Sequence, residues 1–556
     1  MSLLINALIR LYGMSASHCF DKAAKNLQET QSELLFKILK RNAESVFGKT
    51  YGFSAIHTQT DFRAQIPIRE FEEFRPYVQS ILSGEKAVLT IEDIIRFNVT
   101  SGTTGEPKYI PVTREYQNQE LNLIGQWYYR ALRDHPQFLD HYRVAIVSPL
   151  NDGRTDAGIP YGSASGMVLN RIPPFIRRFY ALPDSAFQVK DYDDRYFIMA
   201  RCAAGKKVSF VLTPNPSTLI RLAEVMIRHA DEIIRAIHDG KTGRNLSDQP
   251  DLSIALGQGF SPDHSRARFL ENVFKTTGML RPEAVWPELK LIACWLGGSV
   301  GLQRPKLSEF YGDSPIRDFG YMASEAHITL PYQDYTPSGV LAIQTNYYEF
   351  IPEEFHGTQN PPVLSCHELQ AGKRYAILLT TSSGFYRYDI NDIIEVTGFY
   401  QQVPMIAFVR KGRDMTNITG EKMHANHFVL AMEQTRRKFH LSLEQFRATP
   451  DFEKSRYIIC MELGNELTRQ VLKDEVLPFI DQALSKANLE YAEKRKSKRL
   501  RPPVLALMRH GWTEIECRKF VQAGKRDIQF KWRILCAELS REDIESVTEF
   551  IESGEN

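Results

Sequence analysis

Between about residues 140 and 400, strand-like apolar runs recur with helical stretches between them, and this alternation constrains the fold more than any other feature. Val144-Ala145-Ile146-Val147, Val208-Ser209-Phe210-Val211-Leu212, Leu289 through Leu296 and Tyr375 through Thr380 are such runs. Alternation of this kind predicts an α/β body in which helices flank β-sheets. A polar turn, Lys411-Gly412-Arg413-Asp414, interrupts the pattern and suits a hinge. Beyond it, helical segments at 424–438 and 467–492 mix with short strands at Tyr457–Met461 and Val504–Met508. The expected architecture is a large N-terminal domain of helix-flanked β-sheets, residues 1–410, and a smaller α+β C-terminal domain, residues 411–556. Near the start, 22–48 is expected to be one helix, with Leu27, Leu34, Leu35, Ile38 and Leu39 on one face.

At 556 residues the chain is too long for a single core, and roughly three or four domain-sized units fit a length of this order. Lys+Arg 69 against Asp+Glu 67 leaves a net charge of +2, so no global field draws the chain to nucleic acid or membrane. Seven cysteines lie scattered without a CxxC pair. That usage suits reduced thiols in a cytoplasm and disfavours a disulfide framework or a structural zinc. The first residues, MSLLINALIRLYGM, lack an early basic cluster, and Asn6 and Arg10 break the apolar run. The segment is too short to span a bilayer. It is expected to form an amphipathic helix that packs on the domain or rests on a membrane, in a cytoplasmic monomer.

Residues 100–108, TSGTTGEPK, follow a strand-like approach at Ile94–Val99. Glycines let a backbone approach phosphate closely, hydroxyls and N–H groups point at its oxygens, and Lys108 adds positive charge. The spacing is not that of a Walker loop, and taken alone the stretch could also be an ordinary polar turn. Four further stretches invite a chemical reading. Trp295-Leu296-Gly297-Gly298-Ser299-Val300-Gly301 fits G-x-S-x-G, so Ser299 could be a hydrolase nucleophile with Asp392 and His424 as nominal partners. The same glycines could instead face a purine ring. Phe319 through Glu325 sets a hydroxyl beside a carboxylate, either for a phosphoryl group and its Mg²⁺ or as a helix N-cap, Ser324, followed by a first-turn Glu. In Phe385 through Val396, an Asp can accept hydrogen bonds from ribose hydroxyls, whereas Arg387 and Asp389 could form an ion pair. Gly524 through Arg533 holds Lys525 and Lys531. The basic run Glu493 through Arg501 fits a solvated helix end better than a nucleic-acid patch in a neutral chain.

Taken in order, these segments resemble the adenylate-forming enzymes, and more closely the Gretchen Hagen type acyl-acid amido synthetases, over about residues 25 to 540. The resemblance is carried by Phe47-Gly48-Lys49-Thr50-Tyr51-Gly52-Phe53, Arg75-Pro76-Tyr77, Gly84-Glu85, the phosphate loop with Ile110-Pro111-Val112-Thr113 after it, and Leu296 through Ser299. It continues through Tyr321–Glu325, Phe385–Asp392 with Val396-Thr397-Gly398-Phe399, Tyr491 through Leu500, and Gln529-Phe530-Lys531. Three places depart from the family pattern. Ala323 stands where serine is usual, Asp389 and Asn391 replace an Arg and a Gly beside the ribose Asp, and Trp532 follows the lysine.

The resemblance implies ATP and Mg²⁺ as cofactors, and a carboxylic acid and an amine, most often an amino acid, as small-molecule partners. The acid attacks the α-phosphate to give acyl-AMP and pyrophosphate, and the amine then displaces AMP. It further implies Lys531 as the catalytic lysine, with Lys525 as fallback, on a C-terminal domain that rotates about residues 410–414. Ser101, Gly102, Thr103, Thr104, Gly105 and Lys108 would hold the β/γ-phosphates. Gly298, Ser299 and Tyr321 would flank the adenine, with Ser324 and Arg410 also on the nucleotide. Asp392 would take the ribose, and Glu325 would orient the metal. The nearest alternatives are an acyl-CoA ligase, then a serine hydrolase at Ser299 or a non-catalytic nucleotide-binding protein. The acid is unspecified, and Trp127, Tyr128, Tyr129, Tyr161, Tyr347 and Tyr348 either line an apolar pocket or pack the core.

Overall fold

The computed structural model describes residues 2–100, 107–146, 153–162, 164, 174–297, 304–412, 415–464, 467–513, 515 and 534–553. The chain forms two compact units, Met1–Thr100 with Tyr109–Val409, and a smaller one made chiefly of Arg410–Asn556. The α/β class expected from the alternation is found.

In the larger unit, Tyr142–Ala145, Val208–Leu212, Leu291–Ala293 and Ile316–Arg317 line up in that order as a parallel sheet. Parallel neighbours need crossover connections, and the helices Tyr192–Ala204, Pro216–Arg228 and His264–Thr277 lie in them. Their apolar faces, with Phe197, Leu222, Met226 and Leu270 buried, close one core over the sheet. A second sheet of seven strands runs Leu364–Ser365, Tyr347–Pro352, Arg374–Thr380, Tyr388–Tyr400, Val403–Lys411, Gly339–Leu341, Thr329–Leu330. Aromatic residues fill its core, with Phe47 stacked on Tyr386 at 4.9 Å and Phe74 edge-on to Phe385 at 5.1 Å. A smaller sheet orders Lys108–Val112, Arg96–Thr100, Pro160–Gly162 and Gly153–Arg154.

The expected helix over 22–48 is broken. One helix runs Ser2–Ala23, a second Leu27–Arg41 and a short third Val46–Thr50. The second break falls at polar residues whose side chains satisfy backbone groups. Asn42 donates to the Ile38 carbonyl at 3.1 Å and accepts from Thr90 at 2.9 Å, and Ser45 caps the third helix at Gly48 N. The N-terminal helix packs on Arg114–Asp134, where glycines permit a close crossing. A Cβ on Gly13 would lie 2.2 Å from Tyr129 Cβ, and one on Gly125 2.6 Å from the Tyr12 ring. Among the described residues no helix is long and apolar enough to cross a membrane.

The smaller unit carries a sheet ordered Leu443–Asp451, Arg456–Leu463, Val504–Met508, Val547–Glu552, with the helices Ala425–Phe439 and Leu477–Ala487 against it. The helix expected over 467–492 stops at Asn488, whose carboxamide caps Leu489–Lys496 at Tyr491 N (2.9 Å) and donates to the Glu421 carbonyl (2.9 Å). In the basic run, Arg495 forks onto Asp481 at 2.7–3.0 Å and also donates to the Leu500 carbonyl at 2.7 Å. Arg447 meets both oxygens of the buried Asp543 at 2.6 and 2.7 Å, and the Trp512 indole N–H donates to the same carboxylate at 2.9 Å.

Candidate active site

The site grows from the end of the parallel strand Ile316–Arg317. Gly320, two residues past Asp318, has φ +103, and a Cβ there would lie 2.2 Å from the Thr329 carbonyl oxygen. Only glycine fits such a position. The chain then turns back on itself. Tyr321 N donates to Thr329 Oγ1 at 2.9 Å, Met322 and His327 form an antiparallel bridge, and Ala323 and Ala326 exchange backbone hydrogen bonds at 2.9 and 3.3 Å. Ser324 and Glu325 therefore occupy a hairpin tip, not the N-terminus of a helix. Asn98, fully buried in Arg96–Thr100, steadies that tip by donating to the Ser324 carbonyl at 2.9 Å. Ala323, where the family pattern favours serine, packs against the aromatic core.

Opposite this tip runs Tyr388–Tyr400. Its pairing with Arg374–Thr380 is regular except that three residues, Ile390 to Asp392, face the single Ile377. A bulge of this kind re-aims side chains beside a site. Asn391 sits in it at φ +58, the left-handed region. Asn tolerates that region better than other non-glycine residues, which explains how it can stand where the family has glycine. Asp389 Oδ1 accepts from Asn391 N at 2.8 Å and fixes the turn. The alternative of an Arg387–Asp389 ion pair is not what forms. Arg387 donates to Glu349 at 2.9 Å and to the Arg63 and Ile66 carbonyls, while Asp389 Oδ2 pairs with His356 Nε2 at 2.7 Å.

Two contacts join bulge and hairpin. The Tyr321 hydroxyl donates to Asp392 Oδ2, and the Tyr388 hydroxyl donates to Glu325 Oε1 at 3.0 Å. Burial, with the adjacent carboxylates adding to it, pushes both phenols well above their ordinary range, so each keeps its proton and serves as a donor. Asp392 is 2 % exposed and Glu325 9 %. Beside them, the Tyr321 ring lies 5.5 Å from Phe408, and a Cβ on Gly297 would rest in ordinary contact with Pro337 at 3.5 Å and with Phe408. That gives a glycine edge and two aromatic faces, which suits a flat heteroaromatic ring.

The structure thus brings Tyr321, Ser324, Glu325 and Asp392 together. Lys108 opens the strand Lys108–Val112. Ser101, Gly102, Thr103, Thr104, Gly105, Gly298, Ser299, Lys525 and Lys531 lie outside the described residues, as does the side chain of Arg410. Trp127, Tyr347 and Tyr348 are core residues: Trp127 stacks on Phe319 at 5.2 Å, and Tyr348 N donates to Gln31 on the helix Leu27–Arg41 at 3.0 Å. Sequence reasoning missed Asp318 and Phe408. Asp318 accepts Leu296 N and Gly320 N, each at 2.6 Å, and so ties the segment before Gly297 to the hairpin. Burial pushes its carboxyl up to about 7 against the pull of those two N–H donors. An Asp at a strand end directly before Phe-Gly-Tyr was the available signal.

Among the described residues no cluster of three or more His, Cys, Asp or Glu could cage a metal. Mg²⁺ needs no such cage, since it keeps several waters and takes one or two carboxylates besides substrate phosphates. Glu325, held through one oxygen by Tyr388, fits that need. Models of the GH3 family N-terminal, central and C-terminal domains match residues 16–316, 339–411 and 426–539. The chain belongs to the GH3 family. This GH3 chain is 24% identical over 560 residues to the jasmonoyl–L-amino acid synthetase GH3.5 of Oryza sativa subsp. japonica, covering 92% of this chain and 93% of that protein. It is 23% identical over 512 residues to the indole-3-acetic acid-amido synthetase GH3.3 of Arabidopsis thaliana, covering 87% and 84%. Its fold matches that of the AtGH3.15 acyl acid amido synthetase in complex with 2,4-DB, with a TM-score of 0.65 at 19% identity and 98% of each chain covered.

Proposed function

We propose that this GH3 chain is an acyl-acid amido synthetase that converts a carboxylic acid and ATP to acyl-AMP and pyrophosphate, then transfers the acyl group to an amine, an amino acid first among candidates. The observation that carries the reading is the juxtaposition of the Ser324–Glu325 tip with the Asp392 bulge, pinned by Tyr321 and Tyr388. One face of that arrangement offers a carboxylate for ribose hydroxyls, a second a carboxylate for a hard cation, and the Tyr321–Phe408 pair a wall for adenine. Bound Mg²⁺ would offset charge on the phosphates.

Asp392 takes the ribose, Glu325 orients Mg²⁺, and Ser324 contacts the nucleotide. The 101–105 loop with Lys108 holds the β/γ-phosphates, so Lys108 steadies the leaving pyrophosphate. Gly298, Ser299 and Arg410 complete the nucleotide contacts. Lys531 offsets the negative charge that builds between carboxylate and α-phosphate, a point-charge role suited to lysine. The C-terminal domain, 411–556, brings Lys531 in for adenylation and withdraws it for transfer. The described cysteines are free thiols, which supports a cytoplasmic setting, and the reading is of a monomer. Acid-dependent exchange of labelled pyrophosphate into ATP, run across a panel of aliphatic and aromatic carboxylic acids, tests the first half-reaction. Exchange should appear with a subset of acids and require Mg²⁺. Hydrolysis of aryl esters with no exchange for any acid would instead favour a hydrolase at Ser299.

A further inference from the structure

The two departures flanking Asp392 are coupled to a residue far away in sequence. His356 follows the short turn Glu353–Phe355, which leads out of the strand Tyr347–Pro352. Asp389 lies in Tyr388–Tyr400, on the other side of the shared neighbour Arg374–Thr380. The His356–Asp389 contact therefore reaches across the intervening strand, at 2.7 Å, with the two residues 7 % and 9 % exposed. The other oxygen of Asp389 accepts Asn391 N at 2.8 Å, and Asn391 holds its left-handed φ of +58 one residue before Asp392. Asp389 N is itself anchored on the Arg69 carbonyl at 2.8 Å.

We infer that His356 is a positioning residue for nucleotide recognition: through Asp389 it fixes the left-handed turn at Asn391 that aims Asp392 at the ribose. Without the imidazole, Asp389 can rotate away from Asn391 N, and the non-glycine residue at φ +58 loses the bond that Asp389 gives its turn. An Asx-type bond to the backbone and a glycine are two solutions to one problem, and this chain has the first. His356 touches no substrate. The inference rests on the reading of Asp392 as the ribose ligand.

The test measures binding of MgATP and of Mg·2′,3′-dideoxy-ATP to the full chain by titration calorimetry, beside thermal melts. The wild type should prefer ATP by about tenfold, the effect of one or two charged hydrogen bonds. His356→Ala should bring that preference to within about twofold, as Asp392→Ala does, and His356→Gln, which restores an N–H near the Nε2 position, should recover it. A merely structural role for His356 would lower the melting temperature or weaken both nucleotides alike while leaving their ratio intact, and that result overturns the inference. If Asp392→Ala erases the preference and His356→Ala retains it, the ribose reading stands and the inference falls. A wild type that does not discriminate removes the ribose reading itself. Should His356→Ala not fold, His356→Leu, which fills the same space without a donor, is read by the same ratio.

Discussion

Asp318→Asn should remove a pH dependence built into the core of the site. Asp318 is 3 % exposed, and burial raises its carboxyl from the usual 3.8 to about 7 even though Leu296 N and Gly320 N both donate to it at 2.6 Å. Between about pH 4 and pH 7 the folded state therefore holds a proton that the unfolded chain has already released. Its contribution to stability is complete below about pH 4 and lost as pH rises through 7, and a shift of this size corresponds to about 4 kcal/mol. Asparagine does not titrate, and it keeps an acceptor for only one of the two backbone N–H groups, a loss of about 1–3 kcal/mol. Urea unfolding across pH 4–8, followed by tryptophan fluorescence, gives the stability difference between the two proteins. Trp127 is a local reporter, since its indole N–H donates to the Asp318 carbonyl at 2.8 Å. The advantage of the wild type should shrink by about 4 kcal/mol from pH 4 to pH 8, with most of the change below pH 7. A difference that grows with pH would mean that the two N–H donors outweigh desolvation, and would refute the reasoning.

Two further substitutions probe the chemistry and the smaller unit. Lys531→Ala should lower acid-dependent pyrophosphate exchange by about 10²–10³, the usual effect of removing one transition-state charge partner, and leave MgATP affinity within about twofold; near-normal exchange removes the lysine from the mechanism. Arg447→Ala leaves the Asp543 carboxylate, 1 % exposed, with the Trp512 N–H but without its cation, and should destabilise the protein by about 3–5 kcal/mol in denaturant titrations. A loss below about 1 kcal/mol would show that the pair behaves as a solvated one.

The α/β class and several buried strands were legible because burial writes itself as continuous apolar runs: Val208–Leu212 and Val504–Met508 have the limits the sequence suggested. Helix limits were less legible. Asn42 and Asn488 end helices by hydrogen bonds to the neighbouring chain, Thr90 in one case and Glu421 in the other, and such partners are invisible to a periodic pattern. In the site, residue types pointed to Tyr321, Glu325 and Asp392 but not to their geometry. Ser324 and Glu325 suit a helix start as well as a hairpin tip, and the choice is made by Gly320 and Asn98, the latter 226 residues from Ser324. Asp389 and Asn391 looked like damage to a motif. Only the distant His356 shows that the turn is held by another means.

Oxygen transfer tests adenylation most directly. The protein is incubated with MgATP, an amino acid and a carboxylic acid labelled with ¹⁸O in both carboxylate oxygens, the acid being chosen by pyrophosphate exchange. Attack on the α-phosphate, followed by displacement at the acyl carbon, predicts an amide retaining one ¹⁸O and AMP carrying the other, with unlabelled pyrophosphate. Label in inorganic phosphate with ADP as the nucleotide product, or AMP free of ¹⁸O beside a labelled amide, would contradict it.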